Sequence, residues 1–147
     1  MKIYETSNYN SFELIKSNRP IKWAKVLHMS QKIKEKNLTN AYIIIVNSKE
    51  VGKERYNTDG TKYPIVDGQH RFLACQLEDQ KFHYMVNDDL TLNDIPQAAS
   101  MQDSWNLHDY LHHYSTRGVY AYKAFSGYMK KNGFPASTTL IILCGNR

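Results

Sequence analysis

Between positions 67 and 71 the chain reads Asp-Gly-Gln-His-Arg, flanked by the apolar "YPIV" before it and "FLA" after it. A carboxylate, an amide, an imidazole and a guanidinium thus crowd one point, with only a glycine among them. Where a strand ends and a helix begins, the first backbone N–H groups have no intrahelical acceptor and sit at the positive end of the helix dipole. That is an anion site. Gly68 lets the backbone approach a phosphate, Gln69 and His70 follow it into the first turn, and Arg71 can add a charge-assisted bond. His70 can also exchange a proton near neutral pH. Asp67 can cap the helix, orient His70 or Arg71, hold magnesium, or act as a base toward a hydroxyl. The same five residues equally read as a plain turn, with Asp67 as N-cap and the rest solvated.

Other residues could do chemistry. His108 and His112 in "HDYLHH" have the i, i+4 spacing that can hold zinc, but no glutamate follows His108 and no third ligand is evident. Glu50, Glu54 and Asp59 lie in a polar stretch that could bring a second carboxylate to the Asp-Gly turn. Lys22, Lys25, Lys32, Lys34 and Lys36, with Lys49, Lys53 and Arg55, make the first half basic. Gathered on one side they would grip DNA independently of its sequence; scattered they only aid solubility.

Such residues need elements to hold them. "MKIYE" and "FELI" predict strands, with Asn18-Arg19-Pro20 as a turn after the second. "KWAKVLHMSQKIKEKN" predicts a helix ending near Asn37, with Trp23, Val26, Leu27 and Ile33 on its apolar face. "AYIIIVN" is short, β-branched and continuously apolar, as a buried strand is. Asp59-Gly60 marks a turn before the strand "YPIV"; "GQHRFLACQLEDQ" is then a helix and "KFHYMV" a strand. Beyond residue 90 the pattern turns helical, with Gly133 as a C-cap and Ser137 or Thr138 capping a final short helix. Tyr110, Tyr114, Tyr120, Tyr122, Phe125 and Tyr128 suit the core between two helices better than a platform for bases. A helix-turn-helix could begin in this last part.

The 147 residues allow one domain with a short appendage. With 41% apolar and 22% charged residues the chain folds, and its net charge of +5 favours a polyanionic partner. Cys75 and Cys144 are far apart in apolar helical settings and suggest neither a disulfide framework nor zinc. The start "MKIYETSNYN" lacks the apolar core of a signal peptide and no run is long enough to span a membrane, so a cytoplasmic protein is expected.

"VDGQHRFLA", preceded at suitable distances by "NRPIKWAKVLHMSQKIKEKN" and "AYIIIVN", resembles the ParB/sulfiredoxin superfamily over about residues 1–90. There an Asn-Arg box, a helix, a strand and a glycine-centred box follow in this order. The resemblance implies an α/β (α+β) fold, a small mixed sheet with helices over 1–90, followed by an all-helical segment over 91–147. It implies that Gly68, Gln69, His70 and Arg71 cradle phosphate, with Asn18 and Arg19 at the mouth of the pocket. Asp67, with His70, would be the catalytic pair if there is chemistry. Gln69 stands where a sulfiredoxin needs cysteine, which excludes reduction of cysteine sulfinic acid. Partition-type boxes carry Glu and Arg where this chain has Gln69 and His70, and Arg where it has Leu73, so the nearer match is the Asp-Gly-x-His-Arg subgroup of phage and mobile elements. The expected function is binding of a nucleotide (CTP, or ATP/ADP, with Mg) or of nucleic-acid phosphate. The alternatives are a kinase or nuclease using Asp67, and an interaction protein in which the box is structural. DNA along the basic half and a homodimer through the helical segment are the further partners expected.

Overall fold

The computed structural model describes residues 1–48, 62–91, 93–100 and 105–144. Along the chain run β1 (Ile3–Thr6), a 3-10 turn (Tyr9–Ser11), β2 (Phe12–Leu14), α1 (Trp23–Glu35), β3 (Ile44–Val46), β4 (Tyr63–Asp67), α2 (Gln69–Leu77), β5 (Phe82–Val86), α3 (Ile95–Ser100), α4 (Leu107–Thr116), α5 (Tyr120–Asn132) and α6 (Ala136–Cys144). Among the described residues the strands form one mixed sheet, ordered β1-β5-β3-β4-β2. Pairing is antiparallel for β1 with β5 and for β3 with β4, and parallel for β5 with β3 and β4 with β2. The α/β class expected from the sequence is the one observed.

Alternation along the strands builds two cores, because successive side chains leave opposite faces of a sheet. Ile44, Val46, Ile65 and Phe82 point to one face, where Phe12 and the α2 residues Phe72 and Cys75 join them. Val66 points the other way and packs with Ile15, Ile95 and Trp105, with Ile45 and Tyr110 against them. Residue 90 lies between β5 and α3, and the second face of the sheet is covered by Ile95 of α3, Trp105 just before α4 and Tyr110 of α4. No helix among the described residues is long and apolar enough to cross a membrane.

Three local expectations are corrected. In α1 Val26 and Ser30 are buried and Ile33 reaches the first core, but Trp23 and Leu27 are 56% and 61% exposed. The helix packs on α2 through the narrow row 26, 30, 33; Leu27 lies about 100° round the axis from Val26, and Trp23 stands at the helix's first position. Helix α6 starts at Ala136, earlier than a Ser137 or Thr138 cap allows, with the Pro135 carbonyl accepting from both the N–H and the hydroxyl of Thr139. The expected aromatic core of the helix pair is partial: Tyr114 meets Tyr122 at 4.7 Å, but Tyr120 is 84% exposed. Gly133 does end α5, at φ +64°, donating to the Met129 carbonyl.

The buried Cys75 reports on this packing. Burial pushes its thiol up to about 11, against a weaker downward pull from Arg71. A raised pKa means the unfolded thiol ionises first, so stability is flat below about pH 9 and falls as pH climbs toward 11. Urea unfolding over that window should show a loss on the order of 2 kcal/mol from this thiol. Burial raises Tyr9 and Tyr84 in the same direction, so Cys75→Ala should reduce the fall without abolishing it.

Candidate functional site

Strand β4 ends at Asp67 and α2 begins at Gln69, with Gly68 as N-cap at φ +96° and no side-chain cap. L side chains avoid that conformation. Space is tight as well: a Cβ on Gly68 would lie 3.0 Å from Cγ1 of Ile44 and 3.2 Å from Nη2 of Arg71, and those side chains would have to give way. The first intrahelical bond runs from the Phe72 N–H to the Gly68 carbonyl at 2.9 Å, so the N–H groups of Gln69, His70 and Arg71 precede it. Asp67 is thus not the N-cap. Its Oδ2 accepts instead from Nη2 of Arg71 at 3.1 Å, in a pair only 18% and 13% exposed.

The Asn18–Arg19 turn is stitched to this junction. Asn18 donates from Nδ2 to the Val66 carbonyl at 3.2 Å, while its Oδ1 accepts from the Arg19 N–H. Gln69 donates from Nε2 to the Arg19 carbonyl at 2.7 Å. His70 accepts the Lys22 N–H at Nε2, 3.0 Å away, so that ring nitrogen carries no proton and ties α2 to the start of α1. Asn18, Arg19, Gln69 and His70 are all buried. Burial of such groups is tolerable only because partners meet them.

A cavity of about 690 Å³ opens above this junction, and all seven residues singled out from the sequence, Asn18, Arg19, Asp67, Gly68, Gln69, His70 and Arg71, lie on its wall. Residues not foreseen complete it. Lys25, His28, Met29, Lys32, Ile33 and Glu35 of α1, with Lys36 at its C-cap, form one long side, while Leu38, Thr39 and Tyr42 close the end before β3. The volume suits a small organic ligand. Cations predominate at the polar end, and Met29, Leu38 and Tyr42 make the far end apolar. Leu38 and Tyr42 are 45% and 57% exposed although large. Only the three-dimensional path of α1 reveals this wall, since its lysines read in sequence as a solvated face.

The histidines of α4 take a supporting role. His112 bonds through Nε2 to the Lys16 carbonyl and the fully buried His113 through Nδ1 to the Ser17 carbonyl, both at 2.9 Å. His112, whose spacing from His108 could have suited zinc had a third ligand been evident, instead contacts the turn before Asn18. Sequence reasoning missed His113 as a positioning residue. Among the described residues no group of three or more His, Cys, Asp or Glu is placed to hold a metal. Glu50, Glu54, Asp59, Lys49, Lys53 and Arg55 lie outside the described residues.

No protein-family model matches the chain, and no curated protein matches it in sequence. Among solved structures it is similar to the crystal structure of the C-terminally truncated chromosome-partitioning protein ParB from Caulobacter crescentus complexed with CTP-gamma-S. The TM-score is 0.52 at 16% identity, over 100% of this chain and 73% of that one. The fold is therefore ParB-like, as the order of the Asn-Arg and Asp-Gly boxes led us to expect.

Gly68→Ala tests the junction. The positive φ and the Ile44 contact together should cost about 1–3 kcal/mol in chemical denaturation. Gly133→Ala, where nothing lies within 4 Å of the added carbon, isolates the backbone part and should cost less.

Proposed function

We propose that this chain is a ParB-like nucleotide-binding domain of the Asp-Gly-x-His-Arg kind carried by phages and mobile elements, acting in the cytoplasm of the host. The observation that carries the reading is the convergence of the Asn18–Arg19 turn and the Asp67–Arg71 junction on one cavity. In this reading phosphate lies against the backbone N–H groups of Gln69, His70 and Arg71, with the Arg71 and Arg19 guanidinium groups beside it. The sugar and base extend toward Met29, Leu38 and Tyr42. The fold neighbour was crystallised with a CTP analogue, which makes CTP the first nucleotide to try, with ATP and ADP beside it.

The cradle fits such a ligand, since the N–H groups of Gln69, His70 and Arg71 precede the first intrahelical bond and the Arg71 guanidinium lies beside Gly68. A protein-held magnesium ion fits less well: the Asp67 carboxylate faces Arg71, and the metal would rely on the phosphate oxygens. Binding is favoured over phosphotransfer because both candidate catalytic groups are engaged, Asp67 by Arg71 and Nε2 of His70 by the Lys22 N–H. Gln69 and His70 serve the fold with their side chains, as the purely structural alternative holds, but that alternative gives the cavity no occupant. A homodimer through the helical segment draws support from the exposed Leu140, Ile141, Ile142 and Leu143 of α6.

Calorimetric titration with CTP, ATP and ADP in the presence of magnesium should detect binding of at least one. Arg71→Ala should weaken it about tenfold or more, as loss of a charge-assisted bond does. Silence from all three nucleotides would refute the reading. Turnover that disappears in Asp67→Ala would replace binding by phosphotransfer.

A further inference from the structure

The cations of the cavity reach further than one nucleotide's phosphates. Arg19 and Arg71 flank the Gly68 turn, and Lys25 lies on the α1 wall with them. The same wall continues with Lys32, Glu35 and then Lys36, so that its three lysines outnumber one carboxylate. Along a helix axis Lys25 and Lys32 are about 10 Å apart, with Lys36 roughly one turn beyond. A mononucleotide anchored by its phosphates at the turn would extend a neutral sugar and base along that wall. Nothing in it would meet the last two lysines.

Two bland explanations are weaker than they look. Lys32 and Lys34 both stand in the last turn, where cations complement the helix dipole, but of the two only Lys32 also lies on the cavity wall, with Lys36 beyond it. Lys32 also pairs with Glu35, at 3.6 Å with side chains 64% and 59% exposed. So exposed a pair contributes little and re-partners readily.

What does fit is a ligand that repeats an anion after each base. Between the lysines the wall offers Met29 and Ile33, and the lining also includes Leu38 and Tyr42, whose exposed apolar faces can stack on bases between backbone contacts. We infer that the cavity takes the 5′-phosphorylated end of a single-stranded nucleic acid, with the terminal phosphate at the Gly68–Arg71 turn and the next backbone phosphates along Lys32 and Lys36. This rests on the nucleotide reading above and extends it from a mononucleotide to a strand end.

The experiment compares the full chain's affinity for a mononucleotide with that for 5′-phosphorylated oligothymidylate and oligouridylate of about six nucleotides, a length within the site sizes of small single-strand binders. The phosphorylated oligomers should bind at least tenfold more tightly than the mononucleotide, and their unphosphorylated forms should lose that advantage. The two sugars distinguish DNA from RNA as the source of the strand. Lys36→Ala should weaken oligomer binding several-fold and make its salt dependence shallower by about 0.7 in log–log slope, a clearly larger loss than it causes for the mononucleotide. Lys34→Ala, which removes the same charge from off the wall, should leave both unchanged. Equal affinity for mononucleotide and oligomer, or equal loss in Lys34→Ala and Lys36→Ala, overturns the inference while nucleotide binding stands. Failure of mononucleotide and oligomer alike overturns both.

Discussion

A buried turn that must satisfy its own polar groups holds this site together. Asn18, Gln69 and His70 lie out of water, and each meets a backbone partner on a different segment: Val66 in β4, the Arg19 carbonyl, and the Lys22 N–H. An unpaired buried amide or imidazole is penalised far more than a made bond is rewarded. The three bonds therefore fix the turn, the strand end and the starts of both helices relative to one another. From the other side His113 holds the Ser17 carbonyl, so the helical segment also bears on the turn's position.

This division of labour explains the composition of the Asp-Gly-Gln-His-Arg run. Gln69 and His70 turn inward and act as fasteners, which in the proposed reading leaves ligand chemistry to the backbone N–H groups and to Arg71. Asp67 and Arg71, one helical turn apart, hold each other on the cavity wall. An anionic ligand would compete with Asp67 for that guanidinium, and the pair's partial exposure keeps the exchange affordable. Arg71 further lowers the thiol of Cys75 a turn deeper in α2, although burial outweighs it; the same cation thus faces both the core and the cavity.

Much of this was legible in sequence where the physics is local. The strands β1, β2, β4 and β5 and the helix α2 follow from apolar runs bounded by turn residues, and the Gly68 junction from the one residue that tolerates its dihedral. Joining the Asn18–Arg19 turn to that junction took the family resemblance, since nothing local links positions fifty residues apart. Three things escaped. The buried face of α1 was drawn too wide, because periodicity gives a helix's apolar stripe but not where a neighbouring helix ends. His112 and His113 read as ligand spacing or solvated face, because their carbonyl partners belong to a distant turn. The apolar end of the cavity lies in "NLTNAY": Leu38 carries no pattern in one dimension, and Tyr42 read as the start of a buried strand, whereas β3 begins only at Ile44 and leaves Tyr42 exposed.

Helix α1 has two tasks that constrain each other. The row Val26, Ser30 and Ile33 packs toward α2 and the first core, while the neighbouring row of Lys25, His28, Met29, Lys32 and Lys36 forms the cavity wall. The helix is tied to the rest at both ends and once between: Lys22 to His70, Ser30 to Glu78, and Asn37 to the Lys81 carbonyl. Because it cannot roll without breaking these bonds, its lysines are held at fixed distances from the Gly68 turn. In the proposed reading, a row of cations on a fixed helix beside a phosphate held at the Gly68 turn would select for the spacing of charges in its ligand as well as for their sign, which a merely basic surface would not do.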